Sequence, residues 1–478
     1  MFRTSSRAAV GLLLGGTIIL ACSTNPATGS KELMLVSEGQ EIEMGKQTFA
    51  QALSVYGSVP DSALQGYVAG IGHRLAAASE RPGLPWAFAV LDDPVINAFA
   101  APGGFVMVTR GILVNMNNEA ELASVLGHEI GHVTARHTAQ SITRQQLAQV
   151  GMAGAMLAEP GLASVIQAAG AGLGVLFLKF GRDQEAQSDM LGFRYMMRTK
   201  YDPREADNVF ETLSRMQAAS GAERLPDWQS THPAPEGRVE TARARADTVS
   251  ADLSTFTVNR TEFLRRVDGL VVGVNPRNGY FEGDRFYQPD LEFQVDFPAG
   301  WKHQNTARAV LAAPQAGDAM IQIQFAEGTP QEAAQKFFSG QGIEGTAQNT
   351  TVNGLQAAGG NFTAQTESGV LEGAVLFVAH KGRTYRLAGF APQGKGAAYA
   401  AQIRTSLRSF KGVTDPKVLN IKPNRVKLER VPSQMTLEQF NQRFPSVVEL
   451  PELALMNGLD GGASVLSAGD YVKRVVNR

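Results

Sequence analysis

The run Gly127-His128-Glu129-Ile130-Gly131-His132 sets two imidazoles four residues apart, with a carboxylate directly after the first. That spacing constrains the fold before any other feature does. On an α-helix, residues four apart lie on one face about one turn from each other, so both rings can reach a single metal ion. From Asn118 to about Gln149 apolar side chains recur at helical spacing, which predicts one helix there. Asn118, with Glu121 three residues on, supplies a capping box for its start. Glu129 stands where a carboxylate can take a proton from a water that the metal activates. Zinc lowers the pKa of such a water from about 16 to about 7, and a base beside it completes the nucleophile.

A catalytic zinc needs a third protein ligand and one open position. His137 lies five residues past His132, which turns it roughly 140° around a continuous helix and away from the ligand face. It is therefore expected to be a polar surface or capping residue. The metzincin spacing would place a third histidine at 138, but Thr138 stands there, and Ala135 replaces the preceding glycine. Arg182 to Gly192 reads as a second helix, with Glu185 and Asp189 four apart on one face. In that arrangement Glu185 binds metal while Asp189 accepts the outer N–H of a ligand imidazole and fixes its tautomer.

Three segments, Asn97-Ala-Phe-Ala-Ala-Pro-Gly-Gly-Phe105, His128-Glu-Ile-Gly-His132 and Glu185-Ala-Gln-Ser-Asp189, resemble the gluzincin family of CAAX prenyl proteases and bacterial periplasmic quality-control metalloproteases. The resemblance covers roughly residues 30 to 265. It implies a mainly helical zinc endopeptidase domain with a small β-sheet beside the cleft, and one zinc ion per chain. It also implies that Phe105–Thr109 is the strand bordering the cleft, where substrate backbone would bind by strand addition. The β-prone residues there support a strand independently, and Pro102-Gly103-Gly104 supplies the turn before it. A fourth family-like piece is Thr231-His-Pro-Ala-Pro-Glu-Gly-Arg238. By the resemblance, His232 contacts the metal or the tetrahedral oxyanion, and Arg238 steadies that charge or a nearby carboxylate. His73, His303 and His380 fall in no metal-spaced cluster and read as structural or surface residues.

At the N-terminus Arg3 and Arg7 precede an apolar run from Ala8 to Ala21 that ends at the only cysteine, Cys22. This pattern reads as a signal peptide. Ile19-Leu20-Ala21-Cys22 resembles a bacterial lipobox, which implies that Cys22 becomes the lipid-carrying first residue of the mature protein. Ser23 follows, rather than the aspartate that retains such lipoproteins at the inner membrane, so the expected place is the periplasmic face of the outer membrane. A single cysteine used in this way leaves no disulfides, and zinc held by His and Glu needs no thiol. The net charge is −1, with 44 basic and 45 acidic side chains, so there is no electrostatic case for nucleic acid.

Beyond the zinc helix, Gly151 to Phe180 is rich in Gly, Ala and Leu, with Glu159 and Lys179 as its charged residues. Pro160 and Gly161 cut it into pieces at or below the ~20 residues that a membrane span needs. Two readings stay open: a hairpin that covers the cleft or leans on the membrane, and buried core helices. Residues 267–289 read as a connector. From Leu291 to about Gly412 alternating runs such as Leu291–Phe297 and Thr384–Phe390 predict an antiparallel sheet, with helices at Pro330–Ser339 and Ala397–Phe410. Phe297-Pro-Ala-Gly-Trp301 resembles the start of sheet-plus-helix domains related to photosystem accessory proteins. Lys422 to Arg478 reads strand, helix, helix, strand, an order that resembles LysM modules, which bind N-acetylglucosamine polymers of cell walls.

The chain is thus expected to be a multidomain α+β protein. Its parts are a signal peptide (1–21), a tether (22–35), the peptidase domain (36–266), the connector, a binding or scaffolding domain (290–413) and a LysM-like module (422–478). The expected function is a lipid-anchored periplasmic zinc endopeptidase. His128, His132 and Glu185 hold the metal, Glu129 is the general base, and Asp189, His232 and Arg238 complete the site. The expected substrates are misfolded or stalled envelope proteins. Two other functions fit the same residues: an envelope assembly factor or chaperone that uses the zinc cleft to bind clients, and a metalloamidase acting on peptidoglycan.

Overall fold

A computed structural model describes residues 22–152, 173–219, 232, 237–366 and 369–478. The expected signal peptide and most of the Gly/Ala-rich segment lie outside the described residues. Residues 22–35 are not a loose tether. Strand β1 (Cys22–Thr24) pairs antiparallel with β2 (Lys31–Leu33), placing Cys22 opposite Leu33. Asn25 is buried between them and donates to Glu32 Oε1 (3.0 Å) and Ala135 O (3.3 Å). Arg136 fastens the same segment through Ser23 Oγ, Val36 O and Glu41 Oε1, each at 2.8 Å. The polar side chains of the expected tether instead form hydrogen bonds that fix it to the helical domain.

Helix α1 (Glu38–Tyr56) starts in a Ser37–Gln40 capping box, and α2 (Ser62–Ala77) starts on the Asp61 carboxylate. Three strands follow: β3 (Ala87–Leu91), β4 (Ala98–Ala101) and β5 (Phe105–Thr109). Their order is β3-β5-β4, with β3 parallel and β4 antiparallel to β5. Phe105–Thr109 is therefore the middle strand, buried along its length, and cannot take an added strand. The edge strand next to the zinc-type helix is β4, which packs on that helix. Gly103 makes the turn possible: it sits at φ +78°, and a Cβ there would lie 2.5 Å from Ile42 Cα.

After α3 (Arg110–Asn115), the expected single long helix is two: α4 (Glu119–Thr134) and α5 (His137–Met152). Arg136 adopts φ +60° between them. That left-handed residue is held by the three hydrogen bonds that Arg136 makes to the N-terminal segment and α1. The chain then returns as α6 (Arg182–Thr199), α7 (Glu205–Ala219), α8 (Arg238–Asp247) and α9 (Arg260–Val267). Helices α2, α4 and α6 share one core with β3–β5.

The expected connector contains β6 (Tyr280–Glu282) and β7 (Arg285–Gln288), which pair with β8 (Phe293–Asp296). Its Gly and Asn residues make the turns of a small sheet rather than a linker. Strands β9 (Lys302–Asn305), β10 (Ala309–Ala313), β11 (Met320–Ala326), β12 (Ile343–Gly345), β13 (Gln348–Val352), β14 (Leu355–Thr366), β15 (Gly369–His380) and β16 (Arg383–Pro392) form the antiparallel sheet expected here. Its order is β12-β14-β15-β16-β11-β10-β9, with β13 on β14. Helices α10 (Pro330–Phe338) and α11 (Gly396–Arg408) pack on it. Strand β17 (Lys411–Gly412) joins β8 in the smaller sheet.

The last unit runs β18 (Asn424–Arg430), β19 (Met435–Thr436), α12 (Leu437–Arg443), α13 (Leu450–Met456), β20 (Val465–Leu466) and β21 (Tyr471–Asn477). It keeps the strand–helix–helix–strand order, with β18 paired to β21. The unit is welded to the helical domain: Val426, Met456 and Val475 belong to the same core as α4. Lys473 on β21 is fully buried and donates from Nζ to Val114 O (2.8 Å) and Met116 O (2.7 Å), just before α4 begins. Burial pulls the Lys473 ammonium down to about 7, against the pull of the nearby Glu121 carboxylate, which burial raises to about 7. No helix among the described residues is long and apolar enough to cross a membrane.

Lys473→Met keeps the buried stem but strands two carbonyls and removes the charge that offsets the buried Glu121 carboxyl. It is expected to lower stability by about 3 kcal/mol in denaturant titration. Native-state hydrogen exchange should then show amides of β21 and α4 opening together; β21 opening well before α4 would mean that the unit is not part of the core around α4.

Candidate metal centre and active-site cleft

Helix α4 is buried along all its 16 residues. Asn118 Oδ1 accepts from Glu121 N (2.8 Å), as a capping residue should, while the Glu121 carboxylate accepts from Asn117 N (2.7 Å). The glycines around the histidines explain how α6 comes so close. A Cβ on Gly127 would lie 3.1 Å from Gly192 Cα, and one on Gly131 would lie 3.0 Å from Ser188 O. Bare backbone at these points lets α6 bring Glu185 to the histidines.

The cluster that results is His128, His132, Glu185 and His232, all buried, with one ligand atom of each within 4.8 Å of the others. His128 Nε2 and His132 Nε2 are 3.0 Å apart. Glu185 Oε2 is 3.4 Å from His128 Nε2, and Oε1 is 3.4 Å from His132 Nε2. His232 Nδ1 lies 3.0 Å from Glu185 Oε1 and 3.4 Å from His128 Nε2. For bonds of about 2.0–2.1 Å, a tetrahedral zinc spaces its ligand atoms by roughly 3.3 Å. The donors therefore fit zinc in number, chemistry and spacing.

Orphaned atoms agree with this. Glu129 is 0% exposed, and neither carboxylate oxygen has a hydrogen-bond partner among the described residues; Glu185 Oε2 has none either. A buried anion without partners is costly unless a cation or an ordered water completes it. Burial raises the Glu129 carboxyl above its ordinary range, with the neighbouring histidines pulling the other way. Burial would raise Glu185 too, but the His232 charge and the imidazoles of His128 and His132 beside it hold it well below that range. His232 Nε2 is 3.7 Å from Glu129 Oε1, so this imidazole bridges the cluster and the buried base.

Around the donors stands a set of supports. Asp189 Oδ1 accepts from His128 Nδ1 (2.8 Å), which turns Nε2 of that ring toward the cluster. Arg238, the first residue of α8, holds Asp189 through Nε (2.8 Å) and Nη2 (2.5 Å), and its Nη1 is 3.7 Å from Glu185 Oε2. Its guanidinium lies 4.0 Å above the Phe210 ring. Burial alone would raise Asp189, but the Arg238 charge and the His128 hydrogen bond keep it well below the usual carboxylate range. Each site residue named from the sequence among the described side chains thus lies at this one place.

Two residues were not read as part of the site. His137 is buried, not on the surface: its Nδ1 is 2.9 Å from His132 Nδ1, and its Nε2 is 2.7 Å from Gln187 Oε1. The 140° argument assumed one continuous helix, and the left-handed Arg136 breaks that helix and swings His137 back. Phe180 stacks on His132 with ring centres 4.0 Å apart and lies 5.7 Å from His232. Nothing in its sequence setting marks it out.

Comparison with known proteins agrees with this geometry. Residues 62–246 match the family described as Peptidase family M48. This stretch is an M48 zinc metallopeptidase domain. The chain is 33% identical over 261 residues to a protein named Beta-barrel assembly-enhancing protease from Yersinia pestis, covering 49% of this chain and 52% of that one. It is 32% identical over 236 residues to the protein of that name from Escherichia coli (strain K12), covering 48% of each. It is 35% identical over 166 residues to Mitochondrial metalloendopeptidase OMA1 from Arabidopsis thaliana, covering 34% of this chain and 32% of the other. The chain spans about half the length of the first two of these relatives.

Asp189→Asn in the M48 domain keeps the shape but weakens the hold on the His128 N–H. Zinc affinity, measured by chelator competition, is expected to fall about 10- to 100-fold. An unchanged affinity would mean that His128 needs no orienting partner.

Proposed function

We propose that this protein is a lipid-anchored zinc endopeptidase at the periplasmic face of the outer membrane, which hydrolyses misfolded or stalled envelope proteins. The observation that carries the peptidase reading is the Glu129 carboxylate: fully buried, without a hydrogen-bond partner among the described residues, one residue from a zinc ligand and 3.7 Å from His232 of the donor cluster. His128, His132 and Glu185 hold the metal in this reading. Zinc, when bound, supplies a Lewis acid that polarises the scissile carbonyl and acidifies water. Glu129 takes the proton of the attacking water on a carboxylate oxygen and later delivers it to the leaving amine. Its raised proton affinity suits both halves of that task. Phe180 keeps bulk water from the face of His132. Arg238 and Asp189 fix His128, and Arg238 also faces Glu185, so its role is to steady carboxylates.

The envelope location rests on the lipobox-like residues before Cys22 and on relatives named for β-barrel assembly. The C-terminal unit is proposed to serve the peptidase as a docked support through Lys473, with glycan binding as a secondary possibility for its outer face. His232 supports a second reading of resting behaviour. Its Nδ1 stands in the donor cluster, where the open position of a catalytic site belongs. An enzyme so filled turns over slowly until His232 withdraws, which brings the client-binding assembly factor within reach of the same geometry.

The test uses an unfolded protein such as casein as substrate. Glu129→Gln is expected to lower cleavage at least about 1,000-fold with zinc still bound, because the base is lost and the ligands are kept. His232→Ala is expected to raise cleavage several-fold. Cleavage retained in Glu129→Gln would overturn the assignment of the base; cleavage unchanged or lower in His232→Ala would overturn the resting block.

A further inference from the structure

We propose that His137 and Gln187 are positioning residues of the metal site, which together fix His132 in the tautomer whose Nε2 lone pair faces the metal. The inference rests on the zinc-peptidase reading and concerns residues that do not touch the metal themselves. His132 Nδ1 and His137 Nδ1 face each other at 2.9 Å, so one carries a hydrogen and the other a lone pair. Position 187 decides which. Gln187 Oε1, 2.7 Å from His137 Nε2, can only accept, so that nitrogen carries the hydrogen and His137 Nδ1 is left as an acceptor. His132 Nδ1 therefore donates, and His132 Nε2 is free of hydrogen where it faces His128 Nε2 (3.0 Å) and Glu185 Oε1 (3.4 Å). A donor at position 187 would run the chain backwards: His137 Nδ1 would donate to His132 Nδ1, and the His132 hydrogen would move to Nε2, the atom the metal needs.

The backbone is built to deliver this contact. His137 follows the left-handed Arg136, whose guanidinium is held by Ser23, Val36 and Glu41. The N-terminal segment thus locks the turn that places the ring on His132. The two ligand histidines are then oriented by different chemistry: His128 by a carboxylate backed by an arginine, and His132 by a neutral imidazole backed by an amide. A neutral partner leaves the ligand less electron-rich than a carboxylate would, so the two sides of the site are set unequally.

The experiment reads zinc affinity by chelator competition, and the His132 tautomer by nitrogen-15 NMR of histidine-labelled apo-protein. His137→Leu is expected to weaken zinc binding about 10- to 100-fold. His137→Asn, whose carbonyl can accept at the place of Nδ1, should recover most of that loss. Gln187→Glu, an acceptor only, should keep the His132 hydrogen on Nδ1, and Gln187→Lys, a donor only, should move it to Nε2 and weaken zinc. Gln187 is partly exposed, so its variants fold even where His137→Leu does not. A folded His137→Leu with wild-type zinc affinity would overturn the proposal. So would the same His132 tautomer in Gln187→Glu and Gln187→Lys, since a charge acting only through space changes affinity without moving the hydrogen. Absence of zinc from the wild-type protein would instead sink the underlying zinc reading.

Discussion

The close approach of α4 to α6 is the contact on which the rest of the structure depends. Both helices are bare where they touch, with Gly127 and Gly131 on one against Gly192 and the Ser188 backbone on the other. Only at that distance does Glu185 reach two imidazoles that already share a face. A Cβ at these points would sit 3.0–3.1 Å from the facing backbone, closer than ordinary van der Waals contact, so a side chain would press the helices apart. The glycines of the motif are therefore part of the metal site, although none of their atoms touches it.

Around this contact the chain spends its charged residues on orientation. Arg238 closes Asp189 onto His128, and Arg136 closes the N-terminal segment onto the turn before His137. Lys473 brings the C-terminal unit to the start of α4. Buried cations of this kind are costly unless their hydrogen bonds are complete, and each of these three has at least two acceptors. Elements far apart in sequence thus meet at both ends of one helix.

Much of the site could be read from the sequence because its information is local. Histidines four apart, and Glu185 with Asp189 four apart, need only helical geometry to be placed. The sheet domain was legible from alternation, and α10 and α11 from helical spacing. What failed was non-local. The position of His137 depends on a positive φ at Arg136, which three distant hydrogen bonds impose. Phe105–Thr109 is central rather than at the edge because β3 joins it in parallel, a pairing no local pattern reveals. The connector misled because glycine and asparagine serve tight turns as readily as linkers.

The most direct measurement of the central claim is zinc content together with zinc K-edge absorption of the purified protein. One zinc per chain is predicted, with nitrogen and oxygen neighbours at about 2.0–2.1 Å and the scattering pattern of at least two imidazoles. Loss of that metal in Glu185→Ala is predicted as well. A protein without stoichiometric zinc, or one whose zinc is six-coordinate and indifferent to Glu185, would contradict the account.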